Sequence, residues 1–302
     1  MAATSCWCSS LAAERACYSA PVRQKIDRRD AIAELLPDAA PDATAELLKD
    51  LHLLTRDGDL NADARRKLKQ IRHLLQLLAP ALDDVLARHP DPVVVDCGAG
   101  KSYLGFLMYI TRFARESRGR VVSIEARPEL VAAAAERATR FGCARMTAVA
   151  GEIATAPLPD RVHVVTALHA CDTATDDALV RAVATGADWI AVVPCCQAEV
   201  ARQLAERGPA EPALAALCAH PWHRRELGSH LTNVVRALAL EAHGYQVTVT
   251  ELTGWEHSLK NELILARRVK RYDRGAQARL DELVARFGVA PAIVRGLPPL
   301  AA

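Results

Sequence analysis

Val93-Val94-Val95-Asp96-Cys97-Gly98-Ala99-Gly100-Lys101-Ser102-Tyr103-Leu104-Gly105 is a β-branched run that stops at an acid, turns on two glycines and opens a new apolar segment. Three consecutive valines predict a strand buried on both faces. The glycines predict a tight turn into a helix, whose first N–H groups lack internal partners and favour an anion. The same texture repeats downstream. Short runs at Val93–Asp96, Arg120–Glu125, Met146–Ala150, Val162–Leu168, Trp189–Val193, Tyr245–Glu251 and Glu262–Ala266 alternate with helical stretches near 102–117, 128–141, 173–186 and 230–242. That is the pattern of βα units on a parallel sheet. About ten residues, Gly254 among them, separate the last two runs. They leave no room for a crossover helix, so these two strands are expected to pair antiparallel at one edge.

Composition narrows the remainder. The 302 residues are 51% apolar and 25% charged, with 38 basic and 36 acidic side chains and a net charge of +2. A domain built wholly around a polyanion would be far more basic, so any nucleic-acid contact must be local. Nine cysteines, without a C-x-x-C pair, suggest neither a disulfide scaffold nor a structural zinc site. Cys195 and Cys196 stand together without further ligands in sequence, so no metal is expected. No apolar run is long enough for a membrane span. Residues 1–22 have neither the basic start nor the apolar core of a secretory signal, so they are expected to be a disordered tail on a cytoplasmic protein.

Residues 23–90 form an N-terminal helical region, in which Leu68, Ile71, Leu74, Leu75 and Leu78 make one apolar stripe and Arg65, Arg66, Lys67, Lys69 and Arg72 a basic one. The main domain is expected at 91–270. Within it, 201–229 carries Pro209, Pro212 and Pro221 and reads as a loop or small helical insertion. Residues 271–302 follow as a C-terminal tail with one amphipathic helix.

Three nucleotide-type ligands compete for the glycine turn. A phosphate loop of the Walker kind needs glycine where Val95 stands, and a dinucleotide fingerprint needs its third glycine at Tyr103. What remains, D-x-G-x-G from Asp96 to Gly100, resembles the first motif of class I S-adenosylmethionine-dependent methyltransferases. The resemblance implies a Rossmann-like α/β fold: a seven-stranded, mostly parallel sheet with an antiparallel edge hairpin, plus the N-terminal helical region. It also implies S-adenosylmethionine as cofactor. The cofactor's carboxylate would sit by Gly98, Gly100 and Lys101, and its ammonium group near Asp96. Glu125 would take the ribose hydroxyls and Glu152 the adenine side, with Leu168 beside the pocket.

Leu168-His169-Ala170-Cys171-Asp172-Thr173-Ala174-Thr175-Asp176 and Pro194-Cys195-Cys196-Gln197, with KLKQIRHLL upstream and WEHSLKNELI downstream, are similar to one branch of that family. These are mostly uncharacterised bacterial proteins related to eukaryotic methyltransferase-like domains, including acceptor-stem tRNA ribose methyltransferases. The resemblance runs from about Lys67 to Arg268. Leu259 stands where members often have proline. Both loops follow strand ends, where open parallel sheets bind ligands. His169 is the expected general base, with Asp172 to orient it or accept the proton and Cys195 beside them. Lys69, Gln70, Cys196, Glu256, Lys260 and Asn261 are expected substrate contacts.

A Lys-Asp-Lys-Glu set for ribose methylation is incomplete, because Cys195-Cys196 replaces its fifth-strand lysine. An N-P-P-Y motif for exocyclic amines is absent. The acceptor atom therefore stays open. RNA, either tRNA or rRNA, is the expected acceptor, held through 65–72 and through 267–274, where Arg267, Arg268, Lys270, Arg271 and Arg274 surround Tyr272. A small-molecule methyltransferase and a non-catalytic cofactor- or RNA-binding scaffold are the alternatives.

Overall fold

The computed structural model describes residues 32–33, 36–37, 39, 41–54, 62–168, 170–252 and 262–300. Among them, helices α1 (Pro41–Asp50) and α2 (Ala62–Arg88) precede the sheet. Strand β1 (Val93–Cys97) leads through the glycine turn into α3 (Tyr103–Met108), which continues as a π-helical turn (Tyr109–Phe113) and a last turn (Ala114–Glu116). Next come β2 (Arg120–Glu125), α4 (Pro128–Arg140), β3 (Met146–Ala150), β4 (Val164–Leu168), α5 (Thr173–Ala184) and β5 (Trp189–Val193). Then α6 (Glu199–Arg207), α7 (Pro221–Ala242), β6 (Tyr245–Glu251), β7 (Glu262–Arg268), α8 (Arg274–Phe287) and α9 (Ala292–Gly296) complete the described chain.

The strands form one seven-stranded sheet in the order β3-β2-β1-β4-β5-β7-β6. All neighbours are parallel except β7, which runs antiparallel to both β5 and β6. The order reverses between β1 and β4, so loops leaving those two strands diverge and open a crevice at their carboxyl ends.

Strand alternation gives each sheet face its own core. Val94, Val121 and Val164 join the face covered by α1, α2 and α3, with Leu47, Leu51, Leu68, Leu78, Phe106 and Phe113 buried against them. Val93, Val95, Cys97 and Ile124 join the other, covered by α5, α6, α7, α8 and α9. Both terminal regions therefore pack on the sheet: α2 closes the first face, while Leu280, Phe287 and Ile293 of α8 and α9 are buried in the second.

The irregular stretch expected at 201–229 is more ordered than its prolines suggest. Its start belongs to α6, and Pro221 occupies the first turn of α7, where its missing N–H costs nothing. Only Pro212–Leu214 and Ala215–Cys218 remain as short turns between them. The C-terminal region holds two helices where one was expected. Asp273 Oδ1 caps α8 by accepting from Ala276 N at 3.0 Å, Gly288 ends it with a left-handed φ of 62°, and Pro291 starts α9.

Candidate functional site

A cavity of about 380 Å³ opens at the carboxyl end of β1, within the range of small-molecule sites. Its floor is Asp96, Gly98, Ala99, Gly100 and Lys101. Tyr103, Leu104 and Leu107 of α3 line one side, Arg127 and Leu168 the rim, and Leu53 with Gln70, Ile71, Leu74 and Leu75 of α2 the roof. Gly98 and Gly100 adopt φ of 63° and 56°, a left-handed geometry that costs an L-residue roughly 1–2 kcal/mol. A Cβ on Gly98 would only touch Ile153 and Ala170 at ordinary distances, so conformation, rather than crowding, is what requires glycine there.

Two acids stand at this turn in different electrostatic states. Asp96 is buried. Thr166 Oγ1 donates to its Oδ1 at 2.7 Å and the Gly105 N–H also donates to the carboxylate, yet burial outweighs both and pushes the carboxyl up to about 7. Glu125, at the end of β2, goes the other way. Burial raises its pKa, but the Arg127 guanidinium with the Arg127 and Gly100 N–H groups outweighs that and holds the carboxyl below its usual range. Gly100 N donates to Oε2 at 2.8 Å, and Arg127 Nε and N donate to Oε1 at 2.7 and 3.1 Å. Glu125 thus fixes the glycine turn to the neighbouring strand before any ligand arrives. Each carboxylate oxygen still has acceptor capacity for a hydroxyl.

The loops after β4 and β5 meet beside this crevice, with Ala170 against Gly98. They bring three thiols together: Cys171 and Cys195 sulfurs lie 3.5 Å apart, and those of Cys171, Cys195 and Cys196 all lie within 4.8 Å of one another. Burial, then the neighbouring Cys171 and Cys196, push the Cys195 thiol up to about 12.

Asp172 sits between the loops at φ 50°, ψ −120°, a strained geometry for a non-glycine residue. Its N–H donates to Cys196 O at 2.7 Å. Its Oδ1 accepts from Ala198 N and Glu199 N at the start of α6, and its Oδ2 from Arg202 Nη2 at 3.0 Å. Burial alone would raise this carboxyl, but those donors hold it below its usual range. A carboxylate so occupied anchors a loop, which runs against the expectation that Asp172 accepts the substrate proton.

Behind the loops lies a buried polar network. Arg236 of α7 donates to Asp176 through Nε (2.7 Å) and Nη2 (3.0 Å), to Asp172 O at 2.9 Å and to Asn233 Oδ1 at 3.2 Å. Asn233 continues it to Gln197 and to Glu262 of β7. Sequence reading named neither Arg236, Asn233 nor the structural use of Asp176. An arginine amid the apolar positions of α7 was the available signal, because a buried guanidinium requires paired acceptors.

Of the other expected site residues, Gln70, Lys101 and Leu168 line the cavity, whereas exposed Lys69 and Glu152 do not. Cys196 is exposed beside Cys171. His169, Glu256, Lys260 and Asn261 lie outside the described residues, as does the expected tail at 1–22. Arg127 and the apolar roof were not foreseen as walls. The basic cluster at 267–274 is displaced from the site: Arg267 pairs in register with Trp189, at the amino end of β5. Four of its five charges are engaged there, with Arg267 on Asp84, Arg268 on Gly186 O, Lys270 on Asp273, and Arg274 over the Tyr272 ring.

Residues 66–203 match the model of a family described as a methyltransferase domain. Those residues carry a methyltransferase domain, on a sheet of the class I strand order. A methyltransferase domain requires a methyl donor, and S-adenosylmethionine is the one expected from the first motif. No curated protein matches the chain. Among solved structures, an rRNA methylase from Streptococcus thermophilus is 9% identical over 65% of this chain and 96% of its own, at a TM-score of 0.43. A precorrin-6y C5,15-methyltransferase from Geobacter metallireducens GS-15 is 16% identical over 64% and 88%, at 0.39. The magnesium protoporphyrin IX methyltransferase of Synechocystis PCC 6803, with bound S-adenosylhomocysteine, is 16% identical over 80% and 98%, at 0.38. At these scores the substrates remain properties of those proteins. Among the described residues, no helix of the methyltransferase is long and apolar enough to cross a membrane.

Proposed function

We propose that this methyltransferase modifies RNA in the cytoplasm, with tRNA or rRNA as the acceptor. The observation that carries the reading is the overhang of α7. Asn233 marks the level of the sheet's carboxyl edge through its bond to Glu262, and α7 begins at Pro221. The twelve intervening steps, at about 1.5 Å each, project the helix about 18 Å past that edge on the side of the β5 loop. Trp222, 59% exposed, stands at its tip with Arg225 stacked at 4.3 Å from the ring centroid. An exposed aromatic beside an arginine suits a splayed base and its phosphate. Exposed Arg66 and Lys69 on the roof helix add positive charge on the other side of the crevice. A small acceptor would make no use of the overhang.

The donor site fits the cofactor on three counts: the two left-handed glycines, a buried acid at the crevice floor and an acid fixed at the next strand end. Asp96 would hold the ammonium group, Glu125 the ribose hydroxyls, and Gly98, Gly100 and Lys101 the carboxylate. Glu152 is retained on the adenine side. S-adenosylmethionine, when bound, supplies an electrophilic methyl group. The chain's own task is to align the acceptor and take its proton. In this reading His169 is the base, Asp172 positions the loop that carries it, and Cys195, Cys196, Glu256, Lys260 and Asn261 shape the acceptor side.

Incubation with tritiated donor and either total RNA or a small-molecule extract tests the reading. Label is expected in RNA, reduced several-fold by Trp222→Ala, with transfer falling steeply as salt rises. Label confined to small molecules would overturn it, and donor binding without transfer to either fraction would point to the scaffold alternative.

A further inference from the structure

We propose that Cys171, Cys195 and Cys196 form a binding site for a soft divalent cation, zinc in particular, with one coordination position open towards the acceptor side. In a tetrahedral zinc site, metal–sulfur bonds of about 2.3 Å set the sulfurs about 3.8 Å apart. The three sulfurs here lie within 4.8 Å of one another, and the closest pair at 3.5 Å, so small side-chain rotations bring them to that spacing. Soft thiolates in such a cluster select zinc over magnesium or calcium.

The scaffold meets the other requirements of a metal centre. The ligands come from two loops joined by the bond from Asp172 N to Cys196 O. One loop is held by Arg236 on Asp172 O, the other by the Asp172 carboxylate on Ala198 N and Glu199 N. Cys171 and Cys196 are exposed while Cys195 is half-buried, which gives the ion a path in. On binding, three S–H bonds are replaced by three metal–sulfur bonds and three protons pass to solvent. Three protein ligands leave a tetrahedral ion one free position, as in catalytic rather than closed structural sites.

A second convergence of His89, His163 and Asp188 at the opposite end of the sheet carries no such inference. Val93 N already donates to His163 Nδ1, and Arg88 and Arg161 already pair with Asp188.

The test uses the full chain, stripped of metal under reducing conditions and titrated with cobalt, then zinc. Near-stoichiometric uptake is expected, with thiolate-to-cobalt charge-transfer bands that zinc displaces. Cys171→Ser and Cys195→Ser should each weaken binding roughly tenfold or more, while Cys218→Ser, buried away from the cluster, should not. Far-UV spectra and donor-binding calorimetry on the same samples separate ligand loss from misfolding. Absence of the bands in the unsubstituted protein would overturn the proposal without reference to any variant. So would unchanged affinity in both cluster variants, or a Cys171–Cys195 disulfide as the cluster's state in freshly purified, unreduced protein.

Discussion

Asp96 gives the donor site a pH dependence whose size can be worked out in advance. Burial holds its carboxyl at about 7 in the free protein, and a bound ammonium group would favour the charged form and lower that value. Below pH 7 the site must therefore lose a proton to bind. At pH 5 about one free site in a hundred is ionised, so affinity should fall about 100-fold from its pH 8 value, or about 2.7 kcal/mol at 1.36 kcal/mol per pH unit. Isothermal calorimetry in buffers of different ionisation enthalpy should show almost one proton released per donor bound near pH 6. Asp96→Asn keeps the shape and removes the titration. It should bind weakly at pH 8, without the fall below 7, and the ratio of the two proteins cancels any titration of the ligand itself. A ratio constant from pH 8 to pH 5 would refute the reasoning. The same shift acts on folding: because the folded value lies above the unfolded one, the stability it confers is fully present below about pH 4 and is lost as pH rises through about 7.

Other outcomes follow from neighbouring contacts. Glu125→Gln should weaken donor binding by about 1.5–3 kcal/mol, the range for hydrogen bonds to a charged group, while Arg127→Ala, which removes the side-chain donor on Oε1 and keeps the backbone one, should leave it equal or tighter in the same calorimetry. Arg236→Met leaves Asp176 buried without its partner and should cost about 3–5 kcal/mol in urea unfolding; a loss below about 1 kcal/mol would mean the network contributes little. Replacing Arg66 and Lys69 with glutamine should flatten the salt dependence of RNA binding in filter assays, whereas the same change at Arg267 and Arg271, at the far edge of the sheet, should leave it unaltered.

The strands were legible almost residue by residue because they read as apolar or alternating runs between glycine, proline and acidic breaks, the inner β1, β2, β4 and β5 being buried on both faces and the edge strands β3 and β6 only in part. β2, β3, β5 and β6 begin and end where the runs do. The antiparallel placement of β7 was legible as well, from the short connection before it. Asp96 and Glu125 could be found because each ends a run. The roof was harder. Periodicity identified Leu74 and Leu75 as buried but could not say that they face a cavity across from Gly98. Of the contacts distant in sequence, the sheet topology made legible that the loops carrying Cys171 and Cys195 meet, though not the sulfur contact itself, and gave no sign of Arg236 on Asp176, 60 residues apart. Nor does a run of charges reveal which end of a sheet it will occupy. The pairing of Arg267 with Trp189 fixes that for the 267–274 cluster, and it fixes it away from the crevice.

The position of α2 over the glycine turn has a practical side. A shortened protein starting at Pro92, the piece that the alternation of strands and helices would recommend for expression, would begin with its crevice unroofed and with the apolar surface that α1 and α2 cover exposed to water. Such a fragment should clump and bind its donor poorly even though every glycine and acid of the first motif were intact. The helical prelude thus supplies five of the fifteen residues that wall the binding pocket, and any minimal version of this enzyme has to begin before it.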